Sequence, residues 1–172
     1  MGEKNFALTH LFTYSPTHMT YDISLSNQQS GHPVDEQMLI DAARAILCDS
    51  AYSSAAISLA VVDDPTIHEL NRRYLNHDWP TDVLSFVLGD EDEHLEGEVI
   101  ISADTAATSA ALLGCFPAAE QLLYVIHGML HLVGYRDKSA AEAEQMRVAE
   151  AGYLRRFGVE PIQSVSSGGT SR

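Results

Sequence analysis

The sequence predicts an α+β fold, an α/β sandwich in which a mixed sheet of about four strands packs with about five helices, with a metal site on a central buried helix. Three observations carry the fold. Strand-like and helix-like stretches follow in the order β-α-β-α-β-β-α-α-α, and the adjacent third and fourth strands imply a hairpin in a sheet otherwise built by crossovers. Apolar residues make up 45% of the 172 residues, enough for a sizeable core in one domain of ordinary length. The stretch Leu122 to Val133 is apolar almost all round, the pattern of a buried helix.

The elements are readable in chain order. Residues 1–19 show no clear period and are expected to form an N-terminal extension, followed by a single domain over residues 20–160. Tyr21, Ile23 and Leu25 alternate with Asp22, Ser24 and Ser26, the period of a half-buried strand. Pro33 is expected to open a helix with apolar positions Val34, Met38, Ala42, Ile46 and Leu47. Ala56 to Val62 is a short β-branched run that reads as a buried strand. Asp64 and Pro65 read as the cap and first residue of a helix through Ile67, Leu70 and Tyr74. Two strands are expected, Asp82 to Leu88 and Glu98 to Ser102, joined by an acidic loop from Gly89 to Gly97. A helix from Ala103 to Leu113 stops at Gly114, and another runs from Pro117 to Gly134. The last helix begins at the capping box of Ser139 and Glu142 and ends at Gly158. Residues 161–172 are Ser/Gly-rich and read as a disordered tail.

Charge and composition narrow the function. The formal net charge of −14 argues against a large nucleic-acid surface but leaves room for a local basic cleft. The basic residues partly cluster: Arg72 with Arg73, Arg136 with Lys138, Arg155 with Arg156. Cys48 and Cys115 lack CxxC spacing, which excludes a disulfide framework, fits a reducing compartment, and leaves both expected in the core. No apolar run approaches the ~20 residues that span a bilayer. Met1 to His18 lack a signal-peptide pattern. The expectation is a cytoplasmic protein with no membrane partner and no organic cofactor.

The chemistry concentrates in His127-Gly-Met-Leu-His131-Leu-Val-Gly134-Tyr-Arg-Asp137. Histidines four apart on a helix leave the same face, the pincer that holds a divalent metal between two imidazoles. Gly134 can end the helix and turn the chain back, so that Asp137 supplies a third ligand. Three protein ligands and an open position define a catalytic rather than a structural zinc site. Two unpartnered histidines in a buried helix would cost about 2–7 kcal/mol each, and a shared metal satisfies both. The spacing also resembles the zinc-binding stretch of metzincin proteases, but their general base directly after the first histidine is Gly128 here. Proteolysis by that route is therefore not expected, whereas the metal geometry survives.

Beyond the spacing, the stretch HGMLHLVGYRD resembles the signature HGxLHLxGYDH of the bacterial YbeY family, metal-dependent endoribonucleases of ribosomal RNA maturation. Two further blocks agree. Leu70-Asn71-Arg72-Arg73-Tyr74 and Pro80-Thr81-Asp82-Val83-Leu84-Ser85-Phe86 resemble LNxxYR and PTDVLSF, and Gly97 to Ser102 resembles GDIVIS. The resemblance implies a Zn2+ or another divalent transition metal held by His127, His131 and Asp137, the last standing where the family has histidine. A carboxylate there lowers the Lewis acidity of the metal relative to a third imidazole. It further implies a single-strand-specific endoribonuclease acting in 16S ribosomal RNA 3′-end maturation and ribosome quality control, with ribosomal RNA and the small ribosomal subunit as partners. The candidate catalytic residues are His127 and Arg73. The family's arginine after the tyrosine is Leu75 here, and Arg72 or Arg73 would have to substitute. Thr81, Asp82 and Ser85, on the strand that lines the family's cleft, join Arg72, Arg136 and Lys138 as candidate substrate-binding residues. The alternatives are a metalloprotease-like hydrolase and a non-catalytic small-subunit assembly factor with a structural metal. The general base is left unassigned.

Overall fold

The computed structural model describes residues 19–161, so the expected extension and tail lie outside the described residues except for Met19 and Pro161. The elements are β1 (Thr20–Asn27), α1 (Glu36–Cys48), β2 (Ser54–Val62), α2 (Asp64–Leu75), β3 (Val83–Glu91), β4 (His94–Ser102), α3 (Ala103–Leu113), α4 (Pro117–Leu132) and α5 (Ala140–Arg156). The sheet is mixed and four-stranded in the order β1-β2-β4-β3, as expected. β1–β2 and β2–β4 pair in parallel, while β3 returns antiparallel to β4 and forms one edge of the sheet.

Alternation along β2 and β4 divides the core. Ile57, Leu59, Val61, Val99 and Ile101 face α1 and α4, which bury Leu39, Ile46, Leu47, Leu122, Ile126, Met129 and Leu130 against them. Each such side chain contributes about 1.5–3 kcal/mol through burial. On the other face Ala60, Val62, Leu84 and Ile100 pack with Ile67 and Leu70 of α2. The central helix α4 is thus held between the sheet, α1, α3 and α5.

Four sequence expectations need correction. First, α1 starts after Asp35, whose carboxylate accepts from Met38 N at 3.1 Å, rather than at Pro33. A side chain that satisfies a free N–H outcompetes a proline that merely presets φ. Second, the α2 cap is Asp63, accepting from Thr66 N at 2.9 Å. Asp64 is engaged elsewhere, accepting from the hydroxyls of Ser102 and Thr105. Third, the acidic loop is mostly strand: β3 and β4 meet at a two-residue turn, Asp92 and Glu93, with φ of 51° and 61°. Two left-handed residues make the hairpin turn whose twist matches paired strands, and pairing of His94 with Ser54 of β2 extends β4 to the tip. Fourth, Cys48 is exposed and Cys115 only half-buried, because each sits at the end of its segment rather than on its apolar face.

Among the described residues, no single helix is long and apolar enough to cross a membrane.

Candidate metal centre

The C-terminal half of α4 builds the site. Gly128 lies between the helix and the sheet: a Cβ there would stand 2.6 Å from Val99 Cγ1 and 3.1 Å from Val83 Cγ2. Glycine therefore lets α4 settle onto β3 and β4, and this close approach carries His127 and His131 to the sheet edge. The same fact removes the protease-like option more firmly than sequence does. The position after the first histidine points into the sheet, where no side chain fits.

The two imidazoles meet edge to face, their centroids 4.5 Å apart at 84°. Their Nε2 atoms lie 3.0 Å apart. Each Nδ1 faces a group that can only accept. His127 Nδ1 donates to Glu150 Oε1 at 2.6 Å, and His131 Nδ1 donates to the Tyr135 carbonyl at 3.0 Å. These partners favour the Nδ1–H tautomer of each neutral ring, which leaves both Nε2 lone pairs facing one another. Two neutral rings so arranged repel unless a proton or a metal cation lies between them. Tetrahedral zinc with Zn–N near 2.0–2.1 Å would place its nitrogens roughly 3.3 Å apart, close to the observed separation.

The third candidate ligand arrives through a helix stop. Gly134 adopts φ of 101°, and Tyr135 N donates back to Leu130 O at 2.9 Å, which closes α4 and reverses the chain. Asp137 Oδ2 then lies 3.6 Å from His131 Nε2. One donor atom from each of His127, His131 and Asp137 falls within 4.8 Å of the others. His127 is held above its ordinary pKa, first by the hydrogen bond to Glu150, against burial, and then by the charges of Glu150, Asp82 and Asp137. An electron-rich imidazole backed by a carboxylate is a common arrangement for a metal-binding histidine.

The other candidate residues fall into three groups. Arg136 and Lys138 line one open pocket of about 260 Å³ with His131, Tyr135 and Asp137. Asp82 stands at the start of β3, near enough for its charge to act on both His127 and Tyr124. Its Oδ1 also accepts from Val83 N and from Thr81 Oγ1, so it fixes the beginning of the strand. Ser85 pairs with Val99 in register and so shares the sheet face that α4 covers. Arg72 and Arg73 are not drawn to the histidine pair. Arg72 bonds Glu69 at 2.5 Å, and the Arg73 guanidinium lies 5.5 Å from the centre of the Tyr74 ring. Leu75 ends α2 and is exposed.

Sequence reasoning missed Glu150 and the Tyr135 carbonyl. Glu150 had one available signal. It falls midway between Met146 and Leu154, the two buried residues of α5, so it is a carboxylate on an apolar stripe.

A two-histidine, one-carboxylate centre on a buried helix, beside the edge of a mixed sheet, defines the class of protein. The family model of endoribonuclease YbeY matches residues 24–158, and the chain belongs to that family. It is 38% identical over 131 residues to the endoribonuclease YbeY of Rhodopirellula baltica, covering 70% of this chain and 68% of the relative. It is 36% identical over 153 residues to that of Moorella thermoacetica, covering 80% and 98%. Among solved structures it is similar to the solution structure of TM1509 from Thermotoga maritima, with a TM-score of 0.56 and 25% identity over 87% of this chain and 99% of that one.

Proposed function

We propose that this chain is a zinc-dependent endoribonuclease that cleaves single-stranded ribosomal RNA, acting in 16S 3′-end maturation and quality control on the small ribosomal subunit in the cytoplasm. One observation carries the metal-dependent reading: the paired Nε2 atoms of His127 and His131, each committed by its Nδ1 partner to offer a lone pair. Membership of an endoribonuclease family supplies the substrate class.

In this reading His127, His131 and Asp137 hold the metal. When bound, it would polarise a phosphate oxygen and lower the pKa of a bound water. Glu150 and the Tyr135 carbonyl orient the two imidazoles. Arg136 and Lys138, on the pocket wall, offset phosphate charge. Arg73, with Arg72 beside it on α2, would take the role of the family's missing arginine once RNA draws it from the Tyr74 ring. Thr81, Asp82 and Ser85 contact the substrate or order the wall beneath it.

The test is cleavage of a single-stranded RNA by purified protein, with EDTA and with His131→Ala. Both should abolish the activity, and cleavage that persists in either case overturns the reading. A second reading, a small-subunit assembly factor with a structural metal, is favoured by Leu75 and by the net charge of −14. A His127→Ala variant that still supports ribosome maturation in cells would favour it over catalysis.

A further inference from the structure

The segment that joins α2 to β3 holds an aromatic pair that the centre described above does not use. The His77 and Trp79 rings lie nearly parallel, with centroids 4.7 Å apart at 12°. Stacked on the imidazole on one side, the indole is nevertheless 56% exposed. Its free surface is therefore the opposite face and the edge. Large aromatic rings are normally turned inward, yet this one is held outward by the backbone. Asn71, itself 1% exposed, donates its amide to the Trp79 carbonyl at 2.8 Å. His77 N donates to the Asn71 carbonyl, and the His68 imidazole meets Asp78 Oδ1 at 2.9 Å. Asn76 turns the chain with φ of 58° before the pair. The buried Asn71 amide thus fixes the backbone from which the indole projects into solvent.

Position gives the pair a role. Trp79 precedes Val83 by four residues, and the Val83 side chain packs against α4 at Gly128, the residue after His127. The platform therefore stands at one end of the strand that borders the metal centre. A flat, exposed ring beside a phosphate-cleaving centre fits a nucleobase that has left its stack, since every base offers a π-face and stacking needs no particular sequence. Such a platform also suits a chain of net charge −14, because stacking adds affinity without cations.

We propose that Trp79, backed by His77, is a stacking platform that seats an unpaired nucleobase of the RNA beside the cleavage centre. The inference rests on the endoribonuclease reading and names a positioning residue within it. Trp79 acts on binding and register, not on the reacting atoms.

Trp79 is the single tryptophan of the chain, so its own fluorescence reports on the platform. The probe is a labelled single-stranded oligoribonucleotide with 2′-O-methyl riboses, which cannot be cut by attack of its 2′ oxygens, added to the metal-loaded protein and checked for full length on a gel after each titration. Binding is followed by anisotropy of the label and, separately, by quenching of Trp79. The single strand should quench Trp79 saturably, with the same midpoint as the anisotropy, whereas a duplex of the same sequence should not. Trp79→Ala should weaken binding about 5- to 150-fold, and Trp79→Phe, which keeps a ring, should recover most of it. With cleavable RNA the Ala variant should raise KM and leave kcat and metal content near wild type. Anisotropy without quenching, wild-type affinity in Trp79→Ala, or a Phe variant as weak as the Ala variant would each overturn the platform. The wild-type quench decides the matter even if Trp79→Ala fails to fold. Absence of any binding by the wild type would overturn the endoribonuclease reading together with the platform, whereas binding and cleavage unaffected by Trp79 would remove the platform alone.

Discussion

Glu150 shows how much of a candidate metal centre can rest on one residue outside its ligand set. Its carboxylate fixes the proton of His127 on Nδ1 and so frees Nε2. Removal of such a partner commonly costs 10- to 100-fold in metal affinity. Glu150→Ala should therefore lower zinc affinity by roughly that factor while the fold survives, as read by competition with a chromophoric chelator beside thermal unfolding. An affinity equal to wild type would mean that α4 alone orients the ring. The candidate ligands themselves were legible because they lie within eleven residues of one segment, His127 to Asp137. Glu150 was not, because its partner is 23 positions away and its stripe becomes visible only once Met146 and Leu154 are known to face α4.

At the scale of elements, the interface between α4 and the hairpin is set by one missing side chain. Gly128→Ala would force a Cβ to within 2.6 Å of Val99. Overpacking of this kind costs about 1–3 kcal/mol, so the variant should unfold at correspondingly lower denaturant or temperature. Because the helix would be lifted from the sheet, metal affinity should fall with it. Wild-type stability in Gly128→Ala would show that β4 yields instead.

The α5 cap makes a pH prediction. The hydrogen bonds with Ser139 hold the Glu142 carboxyl below its ordinary value of 4.5. A depressed carboxyl stabilises the fold only while charged, so its contribution is complete above 4.5 and fades as pH falls through the lower folded value. Glu142→Gln should thus be less stable than wild type near neutral pH, with the gap closing in acid, as followed by chemical denaturation at several pH values. A gap that does not change with pH would assign the effect to the hydrogen bond and not to the charge.

Element type and order were legible in the sequence, and individual starts were less so. Asp63, Asp64 and Pro65 offer two acids in a row, and only the tertiary bonds from Ser102 and Thr105 decide which one caps. The run from Gly89 to Gly97 has poor strand propensity, yet it pairs because β2 lies alongside β4.

At the scale of the whole molecule, the two ends of β3 have different surroundings. Val83 packs under α4 beside the histidines. The far end leads to Asp92 and Glu93, where Glu93 O accepts from Ser53 N at 3.0 Å and ties the tip to the start of β2. The acidic tip is thereby separated along the strand from the metal centre. An acidic chain can therefore keep a pocket beside the histidines whose wall carries Arg136 and Lys138.

The outer side of β3 has another consequence. An edge strand offers unpaired N–H and C=O groups to any other strand. This one also exposes Val87 and Leu88, at 53% and 66%. Asp90, Glu91, Asp92 and Glu93 follow after Gly89, and two copies meeting through this end of the strand would bring these like charges together. The acidity that weakens attraction for RNA thus protects the protein from itself. Neutralising the hairpin to strengthen substrate binding would leave a nuclease prone to join its neighbours strand by strand.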